Sequence, residues 1–316
     1  MSVELLLGVD GGQSHTEAVV ADLRGRILAK GHGGPSNHIH EPGAKERFRK
    51  AIRDSIDAAL GKLGLSRAEV VFVAAHFGLS GGPELRERII RTLFAVERLS
   101  ISEDTSNALW SVTGGGDGAI VISGSGSNAF GRKGERTCRV GGWGHILGDE
   151  GSGYHLGMQA LKHVFRAHEG RDRWGWLAEQ VFRRSKAPTV RALHDSVYSG
   201  SYDKVQIGRL AKLVDQGVDK DAQCRILLRR SADDLFEIAE RVILTLKLHS
   251  AVCGYVGKVF ESDTVRKRFI RNLRNRFPRL TVESAQMSPG EAALQIAMDV
   301  LKRGGASAWS EIYLKA

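Results

Sequence analysis

The sequence predicts an α/β protein of two domains, each built on a mixed sheet, the second sheet duplicating the first. Three observations carry this. A unit of strand, small-residue turn, strand, turn, strand opens the chain and recurs about 110 residues later. Between the copies, strands alternate with helix-period segments, which implies a mostly parallel sheet covered on both faces. A length of 316 residues suits two domains at roughly 150 residues each.

The elements follow in order. Residues 5–10 are nearly all apolar and end at Gly11-Gly12, a buried strand and a tight turn. Residues 17–22 are a second strand, 23–26 a turn, and 27–30 the start of a third strand. Residues 46–63 place Phe48, Ile52, Ile56, Ala59 and Leu60 near helical spacing. A strand at 70–75 leads towards Ser80, a helix follows at 83–94, and a strand at 99–102 ends at Glu103-Asp104. The next helix, 105–112, takes Asp104 or Thr105 as its cap. The second copy has a strand at 118–123, the turn Gly124-Ser125-Gly126-Ser127-Asn128, a return strand at 129–132, a turn at 133–135 and a third strand. Helices are then expected at 154–168, 174–182, 189–198, 207–216 and 222–249. A strand at 251–256 breaks at Gly257-Lys258, and a helix spans 260–277. The last helix, 289–303, has Ser288 as cap and Pro289 at its first position.

Composition narrows the function classes. With 42% hydrophobic and 26% charged residues, the chain reads as an ordinary soluble globular protein. No apolar run reaches the ~18–20 residues that span a bilayer, and the N-terminus lacks a basic region and a cleavage site. A cytoplasmic protein without membrane partners is expected. Cys138, Cys224 and Cys253 are scattered and form no CxxC pair, which speaks against zinc and disulfide frameworks. The formal charge of +10 is concentrated in Arg266, Lys267, Arg268, Arg271, Arg274, Arg276 and Arg279. Phe269, Ile270, Leu273 and Phe277 lie on the apolar side of the same helix, so the run reads as a solvated basic face rather than a nucleic-acid surface. Such a field attracts anionic substrates.

Two small-residue turns at strand ends offer backbone N–H groups to an anion, and their hydroxyls add donors. Asp10, at the edge of the first, suits Mg²⁺, usually through water. The turn lacks a Gly-Lys-Ser/Thr ending and leads into a strand, so it is neither a P-loop nor a dinucleotide fingerprint. Asp104, after a strand and before a helix, reads as an N-cap or as a general base for a hydroxyl nucleophile. Asn37 is a loop amide able to bond sugar hydroxyls or simply to serve a turn. Ser80, before Gly81-Gly82, is similarly placed. His15, His38, His40, His145 and His155 form no helical HxxxH pair and suggest no metal site. Residues 140–153, Val-Gly-Gly-Trp-Gly-His-Ile-Leu-Gly-Asp-Glu-Gly-Ser-Gly, hold six glycines among fourteen residues. Trp143, His145, Asp149 and Glu150 set among them distinguish the stretch from a flexible linker and mark an ordered substrate loop.

Taken together, these residues resemble the N-acetylglucosamine kinase family, within the BadF/BadG/BcrA/BcrD-type ATPase group. The superfold is the ribonuclease H-like one shared by actin, the seventy-kilodalton chaperones and sugar kinases. Residues 141–152 carry the most specific marker. Residues 10–16 resemble the first phosphate motif, and residues 122–128 the second. The resemblance implies a two-domain actin-like sugar kinase with an interdomain cleft. Its first lobe would comprise 1–112 plus about 291–316, and its second 113–290. It implies ATP contacts at Gly11, Gly12, Gln13, Ser14, Thr16, Gly124, Ser125, Gly217 and Gly257, with Mg²⁺ held at Asp10. It implies Asp104 as catalytic base, and sugar contacts at Asn37, Ser80, Asp104, Ser125, Gly126, Trp143, Gly144 and Asp149. Lys258 departs from the family's adenosine motif, which usually has two small residues there. The implied activity is ATP-dependent phosphorylation of the 6-hydroxyl of N-acetylglucosamine, with glucosamine and N-acetylmuramic acid as alternatives on the same fold. An ATPase activator of a 2-hydroxyacyl-CoA dehydratase is the alternative of another class, and it would need paired cysteines. Family members are often homodimers. No role is assigned to His145 or Glu150 beyond support for the loop.

Overall fold

The structure, a computed structural model, describes residues 2–12, 15–36, 43–80 and 86–303. β1 (Val3–Gly11) is buried continuously from Leu5 to Val9, as a central strand covered on both faces must be. β2 (Thr16–Ala21) and β3 (Ile27–Gly33) run back and forth beside it, each pairing antiparallel. β4 (Val70–Leu79) and β5 (Ala95–Ser102) add in parallel on the other side, giving the order β3-β2-β1-β4-β5. The helices of this part are α1 (Ala44–Gly61), α2 (Arg86–Leu93) and α3 (Asp104–Thr113).

The second sheet has β6 (Gly118–Ser123), β7 (Ser127–Lys133), β8 (Arg136–Gly141), β9 (Val252–Val256) and β10 (Thr281–Ser284), in the order β10-β9-β6-β7-β8. β6 pairs antiparallel with β7 and parallel with β9, and β9 pairs parallel with β10. Replacing β1–β5 by β6–β10 reproduces the order of the first sheet, so the duplication extends from the opening meander to the whole sheet. Its helices are α4 (Gly144–Leu147), α5 (Gly153–His168), α6 (Trp176–Ser185), α7 (Val190–Tyr198), α8 (Lys204–Arg209), α9 (Ala211–Gln216), α10 (Ala222–Leu246) and α11 (Asp263–Arg276). α12 (Pro289–Arg303) closes the described chain.

The chain divides into two compact units. Unit 1 gathers the described residues up to Asp117, then Lys133–Thr137 and those from Ala285 on. Unit 2 gathers Gly118–Arg132 and Cys138–Ser284. In unit 1, Phe48, Ile52, Ile56 and Leu60 of α1 share a core with Leu5, Leu7, Val9, Phe72 and Phe77. On the other face, Leu294 of α12 packs with Leu6, Val19 and Ala74. A Cβ on Gly8 would lie 2.1 Å from the Leu294 backbone nitrogen, so α12 crosses β1 at main-chain contact. In unit 2, Val121 and Ala129 of the sheet meet Leu156 and Leu161 of α5 and Leu235 and Val242 of α10 in one core.

Local differences from the sequence reading have physical causes. The N-cap of α3 is Glu103, not Asp104 or Thr105. Glu103 keeps extended angles (φ −72°, ψ 154°) and accepts Ser106 N–H, which makes Asp104 the first helical residue. The helix expected at 207–216 starts earlier, where Asp203 and Gln206 form a capping box, and divides at Leu210 into α8 and α9. Lys258–Glu261 is a 3-10 turn before α11. The strand β10 was not expected. Among the described residues, no helix is long and apolar enough to cross a membrane.

Candidate active site

In unit 1 the parallel strands β1, β4 and β5 end together, and loops beyond such carboxyl ends are where open α/β sheets bind ligands. β1 pairs Asp10 with Gly78 and Gly11 with Leu79 of β4. Ser80 N–H then donates to the Gly11 carbonyl at 3.0 Å. Ser80 Oγ donates to Asp104 Oδ2 at 2.5 Å. Asn107, one turn along α3 from Asp104, donates from Nδ2 to Asp10 Oδ1 at 2.9 Å. The structure thus brings Asp10, Gly11, Ser80 and Asp104 to one sheet edge.

Sequence reasoning missed Asn107 and Arg86. Arg86, at the start of α2, is fully buried, and its Nη2 donates to the Ser80 carbonyl. Burial lowers its pKa while the nearby Asp104 and Glu103 charges oppose that fall. The signal for Asn107 was its i+3 spacing from Asp104 on a helix. Behind these groups, His76 of β4 is fully buried, with Nδ1 3.0 Å from Ser100 Oγ and Nε2 3.1 Å from Ser102 Oγ. Burial pushes its pKa down to about 3, opposed by the Asn107 carboxamide.

The Asp10 carboxyl is pushed up to about 8, first by burial and then by the Asp104 charge, with Asn107 lowering it and Glu17 adding a little. Two carboxylates close together in a buried setting are relieved by a divalent cation, and hard oxygen donors suit Mg²⁺. Asp10 fits that ion as the carboxylate it takes beside phosphate and water. Among the described residues, no group of three or more His, Cys, Asp or Glu forms an all-protein metal cage.

The first turn is described in part. Gly12 N–H donates to the His15 carbonyl at 3.1 Å, and a Cβ there would lie 4.0 Å from Ser80 Oγ. Thr16 is buried and its hydroxyl donates to the Gly34 carbonyl at 2.8 Å, so it is engaged in the fold. Gln13, Ser14 and Asn37 lie outside the described residues.

In unit 2 the matching turn follows β6. Gly124 N–H donates to the Gly126 carbonyl at 2.9 Å, and Ser125 stands exposed at the tip. Asp149 is only 5% exposed and takes the left-handed conformation (φ 62°), which is uncommon outside glycine. Its Oδ1 accepts Ser127 N–H at 3.3 Å, and a Cβ on Gly126 would lie 2.9 Å from Oδ2. Ser127 Oγ donates to the Glu150 carbonyl at 2.6 Å. Ser123 and Ser231 hydroxyls both donate to the Gly151 carbonyl, at 3.0 and 2.9 Å. Gly153 N–H donates to the Gly124 carbonyl at 2.8 Å. The glycine-rich loop is therefore fastened along the turn.

The same loop leaves Trp143, Ile146 and Leu147 exposed, at 76%, 82% and 78%. Gly144 begins α4 with φ 84°. His145 packs edge-on against Tyr154, ring centroids 4.9 Å apart, and Glu150 supplies its carbonyl to Ser127. Gly257, after β9, has φ 112°, and a Cβ there would lie 2.2 Å from the Ser123 carbonyl oxygen, so only glycine fits beside the β6 end. Lys258 is exposed and begins the 3-10 turn. Gly217 is buried, and a Cβ there would meet Cys224 Sγ at 2.4 Å and the Trp176 ring at 2.5 Å. Burial pushes the Cys224 and Cys253 thiols up to about 12.

Comparison with known proteins adds to this geometry. The chain is 28% identical over 305 residues to an N-acetylmuramic acid/N-acetylglucosamine kinase of Clostridium acetobutylicum, covering 93% of this chain and 98% of that protein. It is 27% identical over 326 residues to an N-acetyl-D-glucosamine kinase of Dictyostelium discoideum, covering 96% and 100%. It shares its fold with the crystal structure of a protein designated an N-acetylglucosamine kinase from Chromobacterium violaceum. There the TM-score is 0.77 and the identity 25%, over 93% of this chain and 99% of that one. The sequence pattern of one family matches residues 7–294, nearly the full length. The chain belongs to the BadF/BadG/BcrA/BcrD ATPase family.

Proposed function

We propose that this chain is an ATP-dependent amino-sugar kinase that transfers the γ-phosphoryl group to the 6-hydroxyl of N-acetylglucosamine. The observation that carries the reading is the placement of Asp104 at the sheet edge of unit 1, hydrogen-bonded by Ser80 and adjacent in charge to Asp10. Family membership supports the use of ATP, and the activities named for the relatives support an amino-sugar acceptor.

Phosphoryl transfer is mostly positioning and charge neutralisation. Asp104 accepts the proton of the attacking hydroxyl, with Ser80 fixing the orientation of its carboxylate. Asp10 would hold Mg²⁺, which would supply neutralisation of phosphate charge when bound with ATP. Gly11, Gly12, Gln13, Ser14, Gly124 and Ser125 serve the phosphates. Gly257 and Gly217 serve the nucleoside. Asn37, Ser125, Gly126, Trp143, Gly144 and Asp149 complete the sugar contacts. The activity belongs in the cytoplasm, where ATP is made and spent.

The test is a panel of N-acetylglucosamine, N-acetylmuramic acid and glucosamine with ATP and Mg²⁺, following ADP release and locating the new phosphate by NMR. N-acetylglucosamine should give the highest kcat/KM, phosphorylated at O6. A higher value for another sugar reassigns the acceptor within the class. No ADP release with any of them removes the kinase reading.

A further inference from the structure

We propose that Asn107 is the positioning residue for Asp10: its carboxamide fixes the Asp10 carboxylate at the strand end, and with it the divalent cation that accompanies the nucleotide. The inference rests on the kinase reading for the identity of that cation. Its grounds are geometric.

Asn107 is fully buried on α3. Its Nδ2 lies 2.9 Å from Asp10 Oδ1 and 3.4 Å from the Val9 carbonyl oxygen. Both are acceptors, so the NH₂ end of the amide must face them, and the orientation of the side chain is settled by its partners. The opposite wall is equally specific. β4 pairs Gly78 with Asp10, and a Cβ on Gly78 would lie 2.1 Å from Asn107 Nδ2 and 2.4 Å from its Cγ. The amide therefore lies directly on the β4 backbone at the residue opposite Asp10, in space that any side chain at 78 would fill.

A purely structural role does not account for an amide here. Asparagine is a poor helix former, and burying its carboxamide costs free energy, here with Oδ1 left without a hydrogen-bond partner among the described residues. An apolar side chain would fill a helix–sheet contact at lower cost. The amide brings a charge-assisted hydrogen bond to one carboxylate, from a helix that carries the other three residues earlier. The α3 backbone thereby holds Asp104 and, through Asn107, Asp10 in one frame.

The test is calorimetric titration of ADP at a series of MgCl₂ concentrations, with separate titrations of ADP alone and of N-acetylglucosamine. The wild type is compared with Asn107→Ala, which removes the donor, and with Asn107→Asp, which keeps the shape and replaces the donor by an acceptor. In both variants the Mg²⁺ needed for half-maximal ADP binding should rise about tenfold, while affinity for the sugar and for metal-free ADP stays within about twofold. In turnover, the apparent KM for Mg²⁺ should rise in parallel and the KM for the sugar should not. An unchanged or lowered Mg²⁺ requirement in a folded variant overturns the proposal, and so does an equal loss of sugar affinity. If Asn107→Ala fails to fold, Asn107→Asp decides, and failure of both to fold makes Asn107 structural and overturns it as well. A wild type that binds no Mg²⁺–ADP removes the kinase reading itself, which is distinct from a binding wild type and indifferent variants.

Discussion

Asp104 is held from two directions. Ser80 donates to its Oδ2, and the buried Arg86 guanidinium lies close enough for its charge to be felt. Ser80 fixes the orientation of the carboxylate, which a general base in reach of a hydroxyl requires. Replacing Asp104 with Ala should lower kcat by about 10²–10⁴-fold, the range for removing a general base. Sugar binding, followed by calorimetry, should survive. Unchanged turnover would take Asp104 out of the mechanism. Ser80→Ala should act in the same direction but more weakly, about tenfold on kcat, because it removes one charge-assisted hydrogen bond and leaves the carboxylate in place. Asp104, Asp10 and Ser80 were legible in the sequence because strand ends can be read from short apolar runs that stop at glycine, serine or aspartate. Asn107 and Arg86 were not legible as site residues. The bond from Asn107 to Asp10 joins positions 97 apart; the i+3 spacing reports that Asn107 shares a helix face with Asp104, not which strand residue it meets.

Local pattern also decided which elements could be read. The opening meander, its repeat and α12 announce themselves through apolar runs, turn residues and a Ser-Pro start. β10 does not: of its four residues only Val282 is buried, so it has neither an apolar run nor a clear alternation. It exists because it pairs with β9. The β4–β5 pair carries a pH-sensitive feature for the same tertiary reason. His76 sits on a strand that reads as plain hydrophobic, yet its ring bridges Ser100 and Ser102 on the next strand while neutral. Its folded pKa, about 3, lies below the ordinary 6.5. Between those values the unfolded chain binds a proton that the folded chain does not. The stability contribution is therefore complete above about pH 6.5 and is lost as pH falls towards 3, at no more than about 1.4 kcal/mol per pH unit. Urea unfolding at a series of pH values should show this decline, and His76→Asn should flatten it. An equal decline in the variant would assign the acid sensitivity to other groups. The turn after β6 makes a second prediction. Gly126→Ala would press a methyl group into the Asp149 carboxylate, and the segment beyond Asp149 is fastened by Ser123, Ser127, Ser231 and Gly153 and cannot retreat. A loss of about tenfold or more in kcat/KM is expected. Wild-type kinetics from a folded variant would show that the turn adapts.

Across the whole chain, the two units depend on their termini differently. Unit 2 is assembled almost entirely from Gly118 to Ser284 and has its own core. Unit 1 must recruit α12 from the far end of the chain. Leu294, Ile296 and Val300 of α12 are buried to 2% exposure or less. At ~1.5–3 kcal/mol per fully buried aliphatic side chain, these three contribute about 4.5–9 kcal/mol. That is comparable with the ~5–15 kcal/mol by which a whole domain is stable. Polar contacts set the register. Ser288 and Glu291 form a reciprocal cap, with Glu291 N–H to Ser288 Oγ at 3.2 Å and Ser288 N–H to Glu291 Oε2 at 2.9 Å. Lys30 of β3 reaches Glu291 at 2.7 Å, and Gly290 N–H donates to Glu17 of β2 at 3.2 Å. A chain ending after Ser284 should therefore lose the cooperative unfolding of unit 1 in scanning calorimetry and retain a transition for unit 2. Turnover should be abolished with it, because Asp10 stands on the sheet that α12 covers, and Ser80 and Asp104 follow two of its strands. Two transitions in the shortened chain, or activity near that of the full one, would show that α1 and α3 alone suffice to hold that sheet.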